Sequence, residues 1–226
     1  MATQTVLIVE DEKDIRELLA FTCKREGFAV LEAGDGNAAL ALAAEKRPDI
    51  ILLDLMLPGL DGLSVCRVLQ RETATASIPV IMLTARGEEI DRIVGFEVGA
   101  SDYVVKPFSA REVMLRIRAV LKRADPVTEP ITLACGDIRL DAMRHAVFAR
   151  DAEVPLTVTE FRLLEDLLRH AGQVRTREQL LDAVWGYSFE GYARTVDTHI
   201  RRLRSKLGDA ADLVETVRGV GYRARG

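Results

Sequence analysis

Five polar residues stand directly after short apolar runs, where the strands of a parallel sheet would end. They are Glu10, Asp11, Asp54, Thr84 and Lys106, and they follow the runs 6–9, 50–53, 80–83 and 104–105. The carboxyl ends of such strands form one crevice, so these side chains are expected to lie together. Three carboxylates at one point repel each other, which implies a bound cation. Oxygen ligands alone suit Mg²⁺, and the absence of Cys and His from these motifs disfavours zinc.

The same residues predict phosphoryl chemistry at Asp54. With Mg²⁺ on one oxygen of an incoming phosphoryl group and Lys106 on another, the charge of that group would be neutralised. Asp54 could then attack as a nucleophile and form an aspartyl phosphate, with Thr84 placed to donate a hydrogen bond. Other sites fit less well, because 54–56 lacks the second acid of Asp-x-Asp phosphatases and 34–36 lacks the third glycine of a dinucleotide fingerprint.

Composition excludes several classes of protein. The chain has 226 residues, 48% of them hydrophobic, which suffices for two modest domains. A net charge of -4 argues against a uniformly basic coat. No run reaches the roughly 18 apolar residues of a membrane span and residues 1–4 lack a signal-peptide pattern, so we expect a cytoplasmic protein with no membrane partner. Cys23, Cys66 and Cys135 have no metal-ligand spacing and are expected as buried thiols.

Strands and helices alternate through residues 1–123. Helices are predicted at 14–25, 36–46, 63–70, about 88–98 and 110–123, and a further strand at 28–31. Ser109 is a plausible cap for the last helix. Five strand–helix repeats of this length predict an α/β domain with a doubly wound, five-stranded parallel sheet.

A change of pattern follows residues 124–130, which contain two prolines and two acids and are expected to be a linker. In residues 131–226, strands are predicted at 138–140, 146–149 and 154–156. Capping boxes that begin at Thr157 and Thr176 open two helices, the second running to about Trp185. A third helix is predicted at 192–207, and a hairpin from 213 to 223. A small sheet, three helices and a terminal hairpin describe an α+β winged helix-turn-helix.

The predicted helix 192–207 has one apolar and one basic face. The apolar stripe is Val196, Ile200, Leu203 and Leu207, and the opposite face has Arg194, Thr198, Arg201 and Ser205 with Arg202 beside them. From Arg194 onward there are eight basic and four acidic residues, although the whole chain is acidic. Such a stripe is typical of a nucleic-acid contact, and the hairpin tip could place Arg218 in a minor groove.

The first 123 residues resemble the receiver domain of two-component response regulators, through Glu10-Asp11, Asp54, Thr84-Ala85 and Lys106-Pro107-Phe108. The resemblance implies a flavodoxin-like fold and phosphotransfer from a sensor histidine kinase to Asp54. It further implies a Mg²⁺ site, a switch pair and a cis Lys106–Pro107 bond. The implied ligands are Asp11, Asp54 and the backbone of Met56, with Glu10 acting through water, and the implied switch pair is Thr84 and Tyr103.

Residues 194–204 and 216–223 resemble the effector domain of the OmpR/PhoB family. The resemblance implies that the helix 192–207 lies in the major groove with Thr198 and Arg202 towards base edges, and that Arg218 enters the minor groove. The implied phosphate contacts are Arg177, Trp185, Arg194, His199 and Arg204. The segment from Trp185 to Gly191 would meet RNA polymerase, although Trp185 could equally be a core residue.

The family resemblance also implies a switch by population shift. Phosphorylation draws Thr84 inward, Tyr103 swings in, and the face formed by the fourth helix, fifth strand and fifth helix becomes a homodimer interface. The residues of this face are Arg92, Ile93, Phe96, Glu97, Asp102, Glu112, Met114, Arg116 and Arg118. A dimer could then occupy tandem DNA half-sites about one turn apart.

Within that family, residues 86–89, Arg92 and the Trp185-Gly186 context are similar to regulators of phosphate-starvation genes. The chain is expected to regulate transcription and not to be an enzyme, beyond assisting its own phosphorylation and dephosphorylation. Two alternatives stay open: a family member with a different regulon, or a phosphotransfer protein whose C-terminal domain binds protein or RNA.

Overall fold

A computed structural model of the chain describes residues 3–84, 99–124, 132–185 and 193–226. The chain divides into two compact units, Met1–Ala124 and Asp125–Gly226, so the boundary falls within the predicted linker. The helix predicted at 88–98 and the segment 186–191 lie outside the described residues.

The first unit, the receiver unit, is built on a five-stranded parallel sheet. Its strands are β1 (Thr5–Val9), β2 (Ala29–Ala33), β3 (Ile50–Asp54), β4 (Val80–Thr84) and β5 (Asp102–Val105). The described helices are α1 (Lys13–Arg25), α2 (Gly36–Lys46), α3 (Gly62–Arg71) and α4 (Ala110–Ala124). Every residue of β3 and β4 is buried, because helices on both faces exclude water from them.

The strand order in this sheet is β2-β1-β3-β4-β5, as a doubly wound fold requires. The chain leaves β1 towards one edge and returns at β3 towards the other, so the switch point lies between β1 and β3. Ligand sites of open α/β sheets form at such a point. The predicted helix cap is present, since the Glu112 amide donates to Ser109 Oγ at 3.1 Å.

In its described residues, the second unit, the effector unit, contains two small sheets and three α-helices. A four-stranded antiparallel sheet comprises β6 (Thr132–Cys135), β7 (Ile138–Asp141), β8 (Ala146–Ala149) and β9 (Ala152–Glu153). The helices are α5 (Val158–Arg169), α6 (Arg177–Trp185) and α7 (Ala193–Leu207). A second sheet has the order β10-β12-β11, with β10 (Arg175–Thr176), β11 (Val214–Val217) and β12 (Gly221–Ala224), and a 3₁₀ helix precedes β11. This is the predicted winged helix-turn-helix.

Two strand predictions in the effector unit were wrong. Strand β6 was missed, because of its four residues only Cys135 is buried and the alternation is weak. The strand predicted at 154–156 is instead β9, two residues earlier. Arg150 and Asp151 both have positive φ, 46° and 67°, and form the tight hairpin between β8 and β9. Turns of this kind usually contain Asn or Gly, and Arg150-Asp151 lacks that signal.

Both predicted capping boxes are present. At the start of α5, the Glu160 amide donates to Thr157 Oγ1 at 3.2 Å and the Thr157 amide donates to Glu160 Oε2 at 2.9 Å. That same Glu160 oxygen accepts a hydrogen bond from Lys206 Nζ near the end of α7, at 2.7 Å. The buried carboxylate therefore caps the start of α5 and also binds Lys206 near the end of α7. The box at Thr176 is closed in the same way by Gln179.

Candidate phosphoacceptor site and nucleic-acid interface

The strand ends β1 and β3 bring three predicted carboxylates together. Val9 pairs with Leu53, so Glu10 and Asp54 emerge side by side, and Asp11 follows. One ligand oxygen from each of the three lies within 4.8 Å of the others. Glu10 and Asp54 are buried while Asp11 is exposed, so the cluster opens to solvent on the Asp11 side.

Lys106 joins this cluster from the end of β5. Its Nζ lies 2.7 Å from Glu10 Oε2 and 2.7 Å from Asp54 Oδ2. Partial burial lowers the pKa of Lys106, but its hydrogen bonds to Asp54 and Glu10 outweigh that effect and leave the pKa above its ordinary value. The Lys106 amide also donates to the carbonyl of Thr84 at 2.6 Å, which ties the lysine to the end of β4.

The residues present fit a hard divalent cation. Burial is the main reason that the pKa of Glu10 rises to about 7, and the neighbouring Asp54 raises it further. Among the described residues, Glu10 Oε1 has no hydrogen-bond partner although it is buried. A buried carboxylate oxygen without a donor is costly, and an oxygen-coordinated cation such as Mg²⁺ would remove that cost.

The backbone around Asp54 is held by a close approach of α3. The Met56 amide donates to Asp54 Oδ1 at 3.2 Å, and the Gly62 amide donates to the Leu55 carbonyl at 3.0 Å. A Cβ atom at Gly62 would lie 2.1 Å from the Asp54 carbonyl oxygen and 2.8 Å from Leu55 Cα. Only glycine allows α3 to begin this near to the strand that ends in Asp54.

On the effector unit, three of the predicted DNA contacts lie at least partly exposed. Thr198 and Arg202 are half-buried on α7, and Arg218 is exposed at the hairpin between β11 and β12. The side chain of Arg194 lies outside the described residues. These positions are compatible with the predicted contacts to base edges and the minor groove.

Arg177 and Arg204, two of the predicted phosphate contacts, donate hydrogen bonds to acceptors of the effector unit itself. The Arg177 Nε donates to Asp197 Oδ1 at 2.7 Å. Arg204 donates to the carbonyl of Val214 at 2.8 Å from Nε and to Thr216 Oγ1 at 2.8 Å from Nη2. Their guanidinium groups are therefore ordered before any DNA is bound.

The prediction that the side chains of Trp185 and His199 contact phosphates was wrong. Trp185 is 1% exposed and His199 is 0% exposed, and their ring centroids lie 5.3 Å apart between α6 and α7. Burial lowers the pKa of His199 to about 3, with Arg202 and Lys206 adding to the effect. Both rings belong to the core, which was the open alternative for Trp185.

Comparison with known proteins agrees with both units. Residues 6–118 match the response regulator receiver domain, and residues 151–224 match the C-terminal domain of transcriptional regulatory proteins. The chain is 48% identical to the sensory transduction protein RegX3 of Mycolicibacterium smegmatis, over 98% of this chain and 99% of that protein. The phosphate regulon transcriptional regulatory protein PhoB of Pseudomonas aeruginosa is 46% identical over 99% and 98%.

This chain is a two-component response regulator of the OmpR/PhoB family. Its domain pair implies a histidine kinase as partner and DNA as the bound target. Among solved structures, DrrB of Thermotoga maritima, an OmpR/PhoB homologue, is 29% identical with a TM-score of 0.51 and covers 100% of both chains. A cysteine mutant of RitR gives a TM-score of 0.78 at 28% identity, covering 99% of this chain and 100% of that one. None of the helices in the described parts of this response regulator is long and apolar enough to cross a bilayer.

The two residues of the predicted switch pair are buried in this response regulator. Thr84 is 1% exposed and Tyr103 is 4% exposed, on the paired strands β4 and β5. The Lys106–Pro107 bond is cis, as the family resemblance implies.

The face predicted for dimerisation is only partly described, since Arg92, Ile93, Phe96 and Glu97 lie outside the described residues. Of the rest, Asp102 is 3% exposed and accepts a hydrogen bond from Arg116 Nη1 at 2.9 Å within its own chain. Arg116 also reaches Glu112 at 3.3 Å. These three charges form one pre-ordered cluster on β5 and α4.

Met114 and Arg118 are placed differently from our expectation. Met114 was predicted at the apolar centre of the dimer face, but it is 6% exposed and its Sδ lies 4.0 Å from Cys23 Sγ of α1. Its side chain therefore packs in the core. Arg118, predicted on the same face, forms an ion pair with Glu26, directly after α1.

Arg16 is a site residue that the sequence did not reveal. From the first turns of α1, its Nη1 donates to the carbonyl oxygens of Glu10 at 2.5 Å and Asp11 at 3.2 Å. Its Nε lies 3.9 Å from Glu32 Oε2 on β2. One arginine thus holds the backbone that presents two of the carboxylates. Its position five residues after Asp11 was the available signal, but side chain-to-carbonyl bonds leave no pattern in a sequence.

Proposed function

We propose that this response regulator accepts a phosphoryl group on Asp54 from a sensor histidine kinase, dimerises, and then binds promoter DNA at tandem half-sites. The observation that carries the first step is the position of Lys106, whose ammonium group lies 2.7 Å from Asp54 Oδ2 beside a cluster of three carboxylates. A lysine there can hold an oxygen of the phosphoryl group while Asp54 attacks.

The transfer is a displacement at phosphorus. An oxygen of Asp54 forms a bond to phosphorus while the bond from phosphorus to the donor breaks and the leaving group takes the electron pair. Lys106 neutralises one phosphoryl oxygen and Thr84 donates a hydrogen bond to another. Asp11, Asp54 and the carbonyl of Met56 would hold Mg²⁺, with Glu10 acting through water, and the bound ion would supply charge neutralisation. The chain assists this transfer and also the later hydrolysis of the aspartyl phosphate, in which water takes the phosphoryl group and the Asp54 carboxylate is released.

The phosphoryl group is proposed to shift a population rather than build a new structure. Contact with Thr84 favours the buried position of Tyr103. This change reshapes the face formed by the predicted helix 88–98, β5 and α4. The ordered charges Asp102, Glu112 and Arg116 support a self-complementary interface there, because a two-fold axis would set each cluster against its copy.

The DNA contacts are proposed on the predicted residues other than the buried Trp185 and His199. Thr198 and Arg202 would read base edges in the major groove, and Arg218 would enter the minor groove. Arg177, Arg194 and Arg204 would contact phosphates, and the segment 186–191 would contact RNA polymerase. The PhoB relatives, of which that of Rhizobium meliloti is 47% identical, support control of phosphate-starvation genes.

The deciding experiment maps bound DNA across the genome for the wild type, Asp54→Asn and Arg202→Ala. For the wild type we expect occupancy of DNA that depends on phosphorylation, and for Asp54→Asn we expect this dependence to be lost. Arg202→Ala should lose site selectivity while its phosphorylation stays intact. Arg218→Ala is expected to weaken binding to all duplexes. Intact phosphorylation of the wild type without duplex affinity, even at low salt, would instead favour a phosphotransfer protein whose C-terminal domain binds protein or RNA.

A further inference from the structure

One carboxylate of the effector unit connects three elements that surround the DNA-facing surface. Asp197 lies on α7, four residues before Arg201 and five before Arg202. Its Oδ1 accepts a hydrogen bond from Arg177 Nε at 2.7 Å and another from the Tyr222 hydroxyl at 2.6 Å. Arg177 begins α6 and Tyr222 lies on β12, so this single oxygen joins α6, α7 and the terminal hairpin.

Ring contacts reinforce the same junction. The Arg177 guanidinium lies 5.2 Å from the centroid of the Tyr222 ring, and that of Arg204 lies 5.6 Å from it. Cations over an aromatic face are attracted to it. Tyr222 is 5% exposed, and burial together with the bond to Asp197 raises its pKa to about 12, so its hydroxyl remains a donor at neutral pH.

Beside Tyr222, the backbone at Gly221 packs too closely against β10 for any side chain. A Cβ atom at Gly221 would lie 2.0 Å from the Arg175 carbonyl oxygen, because β12 presses against β10 at this point. Arg175 is itself held by Asp166, at 2.8 Å and 3.1 Å. The strand that precedes Arg177 and the strand that carries Tyr222 are therefore fixed together, and Asp197 adds α7 to them.

We propose that Asp197 and Tyr222 are positioning residues that set the hairpin at a fixed angle to α7. The proposal rests on the function assigned above to Thr198, Arg202 and Arg218, which lie on α7 and at the hairpin tip. Base readout by α7 and insertion of Arg218 occur together only if these two elements keep their spacing. An acid on a DNA-facing helix is otherwise unfavourable, since phosphates repel it; here it orders Arg177 and the hairpin instead.

The test uses the full-length chain and a duplex that the wild type selects from a random-sequence pool, with a scrambled duplex as the non-specific reference. Tyr222→Phe is expected to lower the affinity for the selected duplex roughly three- to tenfold, as loss of one hydrogen bond predicts. Asp197→Ala is expected to lower it roughly 10- to 100-fold. Asp197→Asn, which keeps an acceptor oxygen, should retain most of the preference for the selected duplex.

Three readouts separate positioning from direct contact. In Tyr222→Phe the slope of log K against log salt should stay unchanged, whereas loss of a phosphate contact reduces it by about one. The double variant Asp197→Ala/Tyr222→Phe should lose little more than Asp197→Ala, because the two residues share one bond. Glu215→Gln, an acid of the same hairpin paired with Arg223 and Arg225, should keep the wild-type preference.

Hydrogen exchange of the hairpin amides provides a readout without DNA. We expect faster exchange at 214–224 in Asp197→Ala and Tyr222→Phe than in Glu215→Gln. A reduced salt slope in Tyr222→Phe, an unchanged affinity, or unchanged exchange would overturn the proposal. If the wild type selected no duplex, the proposed function would fail, while the exchange comparison would still decide the role of Asp197.

Discussion

The phosphoacceptor site and the DNA-facing surface handle charge in opposite ways. In the receiver unit, Glu10 and Asp54 are buried at the ends of two central strands, where Lys106 supplies one positive charge against them. In the effector unit, Arg177 and Arg204 lie closer to solvent and already have acceptors from their own domain.

This difference indicates two modes of binding. The receiver site keeps an excess of negative charge that burial makes costly, so it gains most from a cation and from charge rearrangement at Asp54. The effector surface keeps its arginines ordered, so a phosphate there would replace or join an existing partner, and little side-chain entropy would be lost on binding. Phosphoryl transfer therefore depends on the charge of the receiver site, and DNA binding depends on the alignment of the arginines of the effector surface.

The largest effect is expected from removing the acceptor itself. Asp54→Asn should abolish phosphorylation by a small acyl phosphate with Mg²⁺, because an amide is not a nucleophile of this kind. Intact-mass spectrometry provides the measurement. Glu45→Gln, which alters an exposed acid on α2, should be modified like the wild type. Modification of Asp54→Asn to the same extent would show that another residue is the acceptor.

A backbone change should disturb the receiver site more than an equal change elsewhere. Gly62→Ala is expected to reduce the free energy of unfolding by about 1–3 kcal/mol, as overpacking does, and to slow phosphorylation. The matched control is Gly34→Ala, where a Cβ would be 3.7 Å from the nearest atom, Arg16 Nη1. Denaturant unfolding and phosphorylation rates test both variants. Equal behaviour of the two would contradict the close packing of α3 on Asp54.

The effector unit should lose stability below pH 6.5. The pKa of His199 falls from 6.5 to about 3 on burial, so the unfolded chain binds a proton that the folded chain does not. Stability from this group is complete above pH 6.5 and declines as the pH falls towards 3, by about 2 kcal/mol at pH 5.

Fluorescence of Trp185 measures that unfolding, because it is the one tryptophan of the chain. In His199→Gln the decline between pH 7 and pH 5 should be smaller than in the wild type. His145 also has a lowered pKa, about 4, and accounts for a remaining slope. A wild-type stability that is flat across this interval would exclude the burial of His199.

The smallest effect is expected from replacing Arg16, which binds the main-chain carbonyls of Glu10 and Asp11. Arg16→Met should raise the Mg²⁺ concentration for half-maximal phosphorylation by up to roughly tenfold, because the main chain of Glu10 and Asp11 loses its support. The maximal rate should change less. Arg25→Met, at the exposed end of α1, serves as control. An unchanged Mg²⁺ requirement in Arg16→Met would show that the loop is held without it.

The receiver fold was predictable because its signals are local and redundant. Buried strands such as 50–53 are continuous apolar runs, and their ends carry the reactive side chains at positions that topology then brings together. Arg16 and Gly62 were not predictable, since one acts through main-chain carbonyls and the other through a distance of closest approach. Neither has a counterpart in periodicity or spacing.

In the effector unit, the periodicity of α7 indicates the burial of His199. His199 follows Val196 by three residues and precedes Leu203 by four, so it shares the apolar stripe of α7 and should be buried. The family resemblance suggested a phosphate contact instead. The role of Asp197 was not predictable, because its partners Arg177 and Tyr222 are 20 and 25 residues away in the sequence.

The two contacts of Glu160 affect how the effector unit unfolds. Its carboxylate closes the first turn of α5 and at the same time holds Lys206 near the end of α7. Fraying of the first turn of α5 therefore releases α7, and detachment of α7 weakens the start of α5. Helices α5 and α7 are therefore expected to unfold as one cooperative segment. A partly unfolded state in which only α7 has detached would not accumulate before the effector unit unfolds.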